Sequence, residues 1–230
     1  MIIIPTKIWS RSIKLLKRFF IEDVLINTRS DFVDPKSSIF FIFNPYIEWI
    51  KDKIRMNQTL DSLQILHPPT FYSIEDLLGT PDDQLLVVKH RFESKAEGIG
   101  FYLYSEIKDL SFSQDEYFQI FIPFEKEYRV LITKLGVIST KKKIPRSKCY
   151  TPLYKNIKTC KYVTILNSKL EYFCKKIINK INVHFVGMDV GIHDHLFYLI
   201  ELNSCPGLTP TTAEKLVNHI KIMKNEMHGL

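Results

Sequence analysis

Residues 186–212 have the sequence VGMDVGIHDHLFYLIELNSCPGLTPTT, in which two apolar runs, 183–190 and 196–202, flank a short polar segment. This pattern predicts a β-hairpin, with Asp189 in its first strand and Glu201 in its second. Side chains alternate along a strand, so Glu201 and Asn203 are expected on one face. If the two strands pair antiparallel, the three oxygen-bearing side chains can meet at one point.

Asp189, Glu201 and Asn203 predict a Mg²⁺ site of the kind found beside nucleotides. Hard oxygen ligands without sulfur or imidazole suit an ion that keeps several waters and shares substrate phosphates. The alternative is that the two acids are ordinary charges on a solvated hairpin edge. The apolar strands around them favour the metal site, because an unpaired charge there would be costly.

The composition is that of a globular protein with an anionic partner. The chain has 230 residues, 45% of them hydrophobic, and a formal net charge of +7, which favours a nucleotide, an acidic substrate or nucleic acid. It contains no zinc-finger spacing and no basic–aromatic module, which argues against sequence-specific nucleic-acid binding. Four cysteines without a C-x-x-C pair, and no run of about 18 apolar residues, predict a cytoplasmic protein that is not embedded in a membrane.

Patterns along the rest of the chain predict an α+β fold with mostly antiparallel sheets. An amphipathic helix is expected over residues 9–20, packed on the protein's own core rather than on a membrane or partner. Further helices are predicted at 46–66, at 167–180 and after Pro210, with Thr211 or Thr212 as the last N-cap. Strands are predicted at 1–5, 39–43, 85–90, 101–104, 117–123, 127–133 and 136–140, followed by a basic loop at 141–148.

The sequence lacks the glycine-rich fingerprints of the P-loop and dinucleotide-binding proteins, so any ATP phosphates must be bound by other groups. Lys89 ends the apolar strand LLVVK, where a buried ammonium needs an anion such as a phosphate oxygen. A lysine that extends to solvent is the alternative. The glycine-containing segment 93–100, ESKAEGIG, is suited to close over phosphates with its backbone N–H groups.

In this order the motifs resemble the ATP-grasp superfamily, from Lys53 to the C-terminus. GMDVG followed by IELNSCPGLT is similar to the D-alanine–D-alanine ligase and glutamate-ligase pattern. The resemblance implies ATP as cofactor and one or two Mg²⁺ ions bound by Asp189, Glu201 and Asn203. KDKIRMNQTLDSLQILHPPT is similar to the family's D-K helix, which implies that Lys53 binds the α-phosphate.

The same resemblance implies the rest of the ATP site. LLVVKHRFESKAEGIGF matches the phosphate strand and loop, and implies phosphate contacts for Lys89 and Gly98. YFQIFIPFEKEYRV is similar to the interlobe hinge. The contacts implied there are adenine at Gln119, Ile120 and Phe121, and the ribose hydroxyls at Glu127.

The implied fold consists of two α+β lobes, 53–118 and 119–230, with mostly antiparallel sheets that clasp ATP between them. Residues 1–52 are shorter than the N-terminal domain usual in the family, so we expect a reduced segment, completed by a protein partner or a second copy of the chain. Two positions depart from the family. His90 stands where many members have proline, and Gly187 stands where D-alanine ligases have the arginine that steadies the transferring phosphate. Candidates for that missing charge are Lys141, Lys142, Lys143 and Arg146.

The implied activity is that of a carboxylate–amine ligase, in which ATP converts a carboxylate into an acyl phosphate that an amine then attacks. The basic residues 141–148 favour an acidic amino acid or peptide as substrate. Thr211 and Thr212 are expected to bind its carboxylate at a helix N-terminus, or only to cap that helix. The alternatives are a kinase on the same scaffold and a nucleotide-binding scaffold protein without turnover.

Overall fold

The computed structural model describes residues 2–3, 24–25, 40–41, 48–92, 99–108, 110–145, 160–204 and 206–228. Three two-residue strands, β1 (Ile2–Ile3), β2 (Val24–Leu25) and β3 (Phe40–Phe41), form a parallel sheet in the order β2-β1-β3. The amphipathic helix predicted at 9–20 lies outside the described residues.

Two helices precede the central sheets, α1 (Glu48–Lys51) and α2 (Lys53–Ser62). The sequence predicted one helix over 46–66. The helix is interrupted at Asp52, whose backbone is extended and whose side chain accepts a hydrogen bond from the Arg55 backbone N–H at 3.2 Å. Asp52 is therefore the N-cap of α2, a position that acidic side chains favour because they satisfy a free N–H group.

A four-stranded antiparallel sheet has the order β4-β7-β5-β6. Its strands are β4 (Thr70–Phe71), β5 (Leu85–His90), β6 (Gly100–Leu103) and β7 (Glu116–Ile120). A 3-10 helix (Glu75–Leu77) and α3 (Tyr104–Ile107) pack on this sheet. Their shared core contains Leu77, Leu86, Val88, Tyr104, Ile107 and Phe118. The predicted lobe boundary between residues 118 and 119 falls inside β7.

A five-stranded antiparallel sheet has the order β10-β9-β8-β11-β12. Its strands are β8 (Lys126–Thr133), β9 (Gly136–Pro145), β10 (Cys160–Thr164), β11 (Phe185–His193) and β12 (Leu196–Asn203). The prediction of a loop from residue 141 was wrong up to Pro145, because the three lysines at 141–143 continue β9. Three consecutive lysines show no alternation of apolar and polar residues, so the sequence does not indicate a strand there. The strand forms because β9 pairs with β8 on one side and β10 on the other.

The predicted hairpin is formed by β11 and β12, and its turn consists of Asp194 and His195 alone. Both residues have positive φ, 47° and 64°, as in the two-residue turns that match the twist of paired strands. Gly191, predicted in the turn, lies within β11. A bulge occurs where Asp189 pairs with Glu201 while Val190 pairs with Leu199, so the register shifts beside the two acids.

The main core lies on one face of the five-stranded sheet. Helix α4 (Ser168–Ile181), predicted at 167–180, covers this face and begins at its N-cap Asn167. Buried residues of α1 and α2, including Ile50, Met56 and Leu60, belong to the same core. Helix α2 therefore packs with the five-stranded sheet, although the sequence assigned it to the first predicted lobe, residues 53–118.

Helix α5 (Pro210–His228) begins at a reciprocal pair of threonines. The Thr209 hydroxyl accepts from the Thr212 backbone N–H at 3.3 Å, and the Thr212 hydroxyl accepts from the Thr209 N–H at 2.8 Å. Thr209, rather than Thr211 or Thr212, is therefore the N-cap, and Pro210 occupies the first helical position, where its missing N–H costs nothing. Among the described helices, none is both long and apolar enough to cross a membrane. The described elements confirm the predicted α+β class with mostly antiparallel sheets.

Gly191 is the position at which Phe124, in the segment between β7 and β8, packs on the hairpin. A Cβ at Gly191 would overlap the ring of Phe124. Gly191→Ala is expected to lower the free energy of unfolding by about 1–3 kcal/mol, because overpacking forces neighbouring groups to shift. Gly207→Ala is the matched control, since a Cβ there meets nothing within 4 Å. Urea unfolding of both variants checks the prediction, and equal stability of the two would contradict it.

Candidate functional site

One face of the five-stranded sheet carries a cluster of charged side chains opposite the α4-covered core. Directly paired residues of neighbouring strands point to the same face. Asp189 pairs with Arg129 on one side and Glu201 on the other, and Glu127 pairs with Lys143. The residues that the register places on this face are Glu127, Arg129, Lys141, Lys143, Tyr162, Gly187, Asp189, Glu201 and Asn203.

Asp189 is the central anion, with 4% of its surface exposed. Its carboxylate accepts two hydrogen bonds from Arg129, Nε to Oδ1 at 2.8 Å and Nη2 to Oδ2 at 2.7 Å, and a third from Lys143 Nζ to Oδ2 at 3.1 Å. Burial raises the pKa of Asp189, but Lys143 and Arg129 outweigh it and lower the pKa to about 2. The alternative of a solvated edge acid is therefore wrong for Asp189.

Lys143 joins Asp189 to a second acid, Glu127. Its ammonium lies 3.4 Å from Glu127 Oε2 as well as 3.1 Å from Asp189 Oδ2. Burial opposes the positive charge, but the two carboxylates outweigh burial and raise the pKa of Lys143 above its ordinary value. The structure thus brings Lys143, predicted as catalytic, and Glu127, predicted at the ribose, to the same side of Asp189.

Glu201 binds a cation from a different element. The Lys53 ammonium, at the start of α2, donates to Glu201 Oε1. Glu201 keeps 31% of its side-chain surface exposed, and Lys53 keeps 13%. The two acids predicted to bind a metal are thus paired in register, yet each is balanced by its own cations. Lys53, predicted at the α-phosphate, lies beside Glu201, one of the acids predicted to bind the metal.

Lys89 approaches the same cluster from β5 of the four-stranded sheet. Its ammonium donates to the Gln119 side-chain oxygen instead of extending to solvent, and Gln119 donates in turn to Thr70 Oγ1 at 2.9 Å. Burial lowers the pKa of Lys89 to about 8, with Glu201 opposing this shift and Lys53 adding to it. A desolvated ammonium whose hydrogen-bond partner among the described residues is a neutral amide is suited to an incoming anion.

The predicted adenine-binding residues lie at the end of β7. The backbone N–H of Ile120 donates to Pro69 O at 3.0 Å, and that of Phe121 donates to Leu85 O at 2.9 Å. Gln119 uses its amide group between Lys89 and Thr70. The N–H groups of Ile120 and Phe121 are thus already bonded, and the adenine contacts of these residues stay a prediction.

The arginine expected at position 187 has a steric reason to be absent. A Cβ at Gly187 would lie 2.9 Å from Pro206 Cβ and 3.3 Å from Asn203 Cβ. Arg129, one strand away, brings a guanidinium to the same face instead. The sequence reasoning missed Arg129, although the alternation of EKEYRV would have placed it on one face with Glu127.

The other proposed replacements for that arginine have different positions. Lys141 pairs with Arg129 and shares the charged face, whereas Lys142 pairs with Tyr128, a residue of the α4-covered core, and lies on the opposite face. Arg146 and Gly98 lie outside the described residues. Tyr162, which the sequence reasoning also missed, pairs with Lys143 and has its ring 5.7 Å from the Arg129 guanidinium carbon.

The predicted substrate residues Thr211 and Thr212 lie in the first turn of α5. Thr211 is exposed, whereas Thr212 is 5% exposed and its hydroxyl already bonds to Thr209. The Pro206 turn before this helix approaches Gly187 on the charged face. A role of either threonine in substrate binding stays a prediction.

Among the described residues of this cluster, the cations outnumber the carboxylates. Three carboxylates, Glu127, Asp189 and Glu201, lie with five cations, Lys53, Lys89, Arg129, Lys141 and Lys143. Asp189, Glu201 and Asn203 fit Mg²⁺ in ligand chemistry, since all offer hard oxygen donors on adjacent strands. Among the three carboxylates of the cluster, Glu201 has the most exposed side chain, at nearly a third of its surface, and it has one described cation partner.

Comparison with known proteins identifies the fold. No family model matches the sequence, and no curated protein matches it. A RimK-domain ATP-grasp protein from Sphaerobacter thermophilus is similar in structure, with a TM-score of 0.62, 10% identity, and coverage of 95% of this chain and 98% of that chain. D-alanine–D-alanine ligase from Bacillus anthracis has a TM-score of 0.62, 14% identity, and coverage of 97% and 98%.

The ATP-grasp ligase PsnB, in complex with a minimal precursor, is similar over part of its length. Its TM-score is 0.60 at 12% identity, and the match covers 80% of this chain and 63% of PsnB. The chain thus spans about 63% of the length of PsnB. These similarities establish the fold that the sequence motifs implied.

Asp189→Asn is expected to lower the free energy of unfolding at neutral pH by about 2–3 kcal/mol, because Arg129 and Lys143 lose a buried counter-charge. The pKa of Asp189 is about 2 in the folded protein, against an ordinary 3.8. Its stabilising charge is therefore present above pH 3.8 and is lost as the pH falls towards 2. Urea unfolding from pH 7 downwards should show the difference from the parent protein shrinking below pH 4. Asp83→Asn, at an exposed position, is the control, and a pH-independent difference for Asp189→Asn would contradict the prediction.

Proposed function

We propose that this chain, whose fold is that of the ATP-grasp ligases, is an ATP- and Mg²⁺-dependent carboxylate–amine ligase. The observation that supports this best is the convergence of Lys53 from α2 and Lys89 from β5 on Glu201 of β12, which pairs in register with Asp189 of β11. Two lysines on separate elements, facing a pair of carboxylates, suit a polyphosphate and its metal ion.

In this proposal Lys53 and Lys89 bind the phosphates of ATP. Lys53 would exchange Glu201 for a phosphate oxygen, and Lys89 would exchange the Gln119 amide for a charged partner. The exchange is favourable for Lys89, because a phosphate stabilises the ammonium that burial disfavours. Gly98 would add a backbone contact from the phosphate loop. The base and ribose would lie against Gln119, Ile120, Phe121 and Glu127.

Asp189, Glu201 and Asn203 would bind Mg²⁺. When bound, the ion neutralises phosphate charge and orients the γ-phosphoryl group for transfer. Asp189 already accepts three hydrogen bonds, two on Oδ2 and one on Oδ1, so Oδ1 retains acceptor capacity. Glu201 becomes fully available once Lys53 turns to the phosphates.

Arg129 and Lys143 would stabilise the charge of the transferred phosphoryl group. Both are held by Asp189 on the face that lacks an arginine at position 187. Lys141, paired with Arg129, would extend this positive charge towards the acid substrate, and Arg146 is proposed to act with it. A substrate carboxylate oxygen would attack the γ-phosphorus and release ADP, and an amine would then attack the acyl carbon and release phosphate. The protein's part is positioning and charge stabilisation, without a covalent protein intermediate.

The substrate class that the charges favour is an acidic amino acid or a peptide. Lys141 and Arg129 are more exposed than the buried Lys143 and offer positive charge on this face, with Tyr162 as a described aromatic neighbour. The similarity to PsnB, a ligase in complex with a minimal precursor, supports a peptide. Thr211 or Thr212 would bind its carboxylate. A cytoplasmic location and a partner or second copy at the N-terminal segment belong to the same proposal.

The ligase reaction is tested by ADP release from MgATP with panels of acidic amino acids or peptides and amines. Glu201→Gln is expected to lower kcat/KM at least about 100-fold, because the variant loses a charge that acts on the metal and phosphates. Glu214→Gln, on the exposed side of α5, is the control and should match the parent protein. ADP release with a hydroxyl substrate and no amine would indicate a kinase. Nucleotide binding without ADP release would indicate a scaffold protein, and Glu201→Gln turning over like the parent would contradict the site.

Lys89 should couple nucleotide binding to proton uptake. Its pKa of about 8 leaves it about half protonated at pH 8, and a bound phosphate favours the charged form. Binding of ATP at pH 8 is therefore expected to take up protons, and affinity should fall as the pH rises above 8. Calorimetry in buffers of different ionisation enthalpy measures this uptake. Lys89→Met should remove it and Lys215→Met, on the exposed side of α5, should not; equal uptake by both variants would contradict the assignment.

A further inference from the structure

We propose that Asp52 and Arg91 form a latch that positions Lys53 and Lys89 for phosphate binding. This inference rests on the proposed nucleotide site. Asp52 is the N-cap of α2, immediately before Lys53, and Arg91 immediately follows β5, two residues after Lys89. The latch thus joins the two segments that carry the phosphate lysines.

The side chains of the latch form a two-pronged ion pair. Arg91 Nε donates to Asp52 Oδ1 at 2.9 Å, and Arg91 Nη2 donates to Asp52 Oδ2 at 2.7 Å. The Asp52 side chain is 10% exposed and that of Arg91 is 30% exposed. The hydrogen bond from Arg91 is the main reason that the pKa of Asp52 lies below its ordinary value. Parallel N–H···O bonds of this kind fix orientation as well as distance.

The backbone of Arg91 strengthens the same junction. The Lys53 N–H donates to Arg91 O at 3.0 Å, and the Arg91 N–H donates to Asp115 O at 2.7 Å. Arg91 therefore contacts the α1–α2 junction with its side chain and its carbonyl. It contacts Asp115, before β7, with its N–H and with its guanidinium, whose Nη1 lies 3.9 Å from Asp115 Oδ1. Its position is determined from both sides, which leaves little freedom for the end of β5.

The latch also connects two separate cores. Met56 and Leu60 of α2 pack under the five-stranded sheet, whereas Leu86 and Val88 of β5 pack in the core of the four-stranded sheet. Lys53 and Lys89 therefore belong to different packed units, and their packing alone does not set the distance between their ammonium groups. The Asp52–Arg91 pair links the two backbone segments that carry these lysines. It thereby fixes the distance between the two ammonium groups, so both lysines are positioned before any phosphate binds. We call Arg91 a positioning residue for this reason.

A direct contact of Arg91 with phosphate is the competing explanation, and Asp52→Asn separates the two. Asparagine caps a helix about as well as aspartate, so α2 keeps its N-cap while the ion pair loses its negative partner. A latch predicts weaker nucleotide binding in this variant. A direct phosphate ligand predicts equal or tighter binding, because Arg91 would be released from its carboxylate.

The experiment measures the Kd of MgADP by calorimetry, and KM and kcat where turnover is found. Asp52→Asn, Arg91→Gln and Arg91→Lys are each expected to raise the Kd and the KM for ATP about tenfold, with a smaller change in kcat, because small misplacements of binding groups are costly. Lysine keeps the charge of Arg91 but cannot form the two-pronged bond, so it should not rescue binding. The double variant Asp52→Asn/Arg91→Gln should be no worse than the weaker single variant.

Arg55→Gln is the matched control. Arg55 also approaches Asp52, at 3.6 Å, but 67% of its side chain is exposed and it does not reach β5. Its Kd should equal that of the parent protein. If the parent binds MgADP and Asp52→Asn binds it equally well or better, the latch is wrong while the nucleotide site stands. If Arg91→Gln does not fold, the comparison of Asp52→Asn with Arg55→Gln still decides. A parent protein that binds no MgADP would overturn the proposed function, and the latch's role with it.

Discussion

Asp189 is almost fully buried in the five-stranded sheet, so its negative charge must be balanced by cationic side chains of neighbouring strands. Arg129 and Lys143 supply that balance with three hydrogen bonds. The constraint places two cations on one face, and Lys143 then brings Glu127 to the same place. Removal of the carboxylate would take from Arg129 and Lys143 the counter-charge that they share and would leave Lys143 with Glu127, which is far more costly than loss of a surface ion pair. The charged face is therefore a structural requirement of the sheet as well as a candidate site.

The second half of the site comes from elements outside this sheet. Lys53 on α2 reaches Glu201, and Lys89 on β5 approaches the same acid from the four-stranded sheet. Neither lysine is paired as strongly with a carboxylate as Arg129 is. Lys89 donates to a neutral amide, and Lys53 is paired with Glu201, a partly exposed acid. The strongly paired charges thus build the face, whereas the weakly paired ones can exchange partners. An anion with an accompanying metal ion is the ligand that this division suits.

Part of this arrangement could be predicted from the sequence. The apolar runs around Asp189 and Glu201 indicated the hairpin and its facing acids, and Asn167 marked the start of α4, because these signals are local. The run Lys141–Lys143 predicts a loop, because consecutive lysines show no apolar alternation. It is a strand in the structure because it pairs with β8 and β10. Thr209 was missed as the N-cap because three neighbouring threonines can all cap, and only the backbone distinguishes them.

Interactions between distant segments were beyond the sequence for a different reason. The pairs Arg129–Asp189 and Arg91–Asp52 join residues that are far apart in the chain, and nothing in the local pattern of either partner specifies the other. The steric reason for Gly187 likewise depends on Pro206, which approaches only after β11 and β12 have paired. The motifs indicated which residues meet on one face, whereas the charge partners of those residues required the sheet register.

The most direct test of a nucleotide site at this cluster is a crystal structure of the protein with MgADP. We expect the Lys53 and Lys89 ammonium groups to contact phosphate oxygens in place of Glu201 and Gln119, and Mg²⁺ to lie beside Glu201. The Arg129–Asp189 pair should remain, because it belongs to the sheet. A complex in which Lys53 still binds Glu201, with the nucleotide elsewhere on the protein, would contradict the assignment.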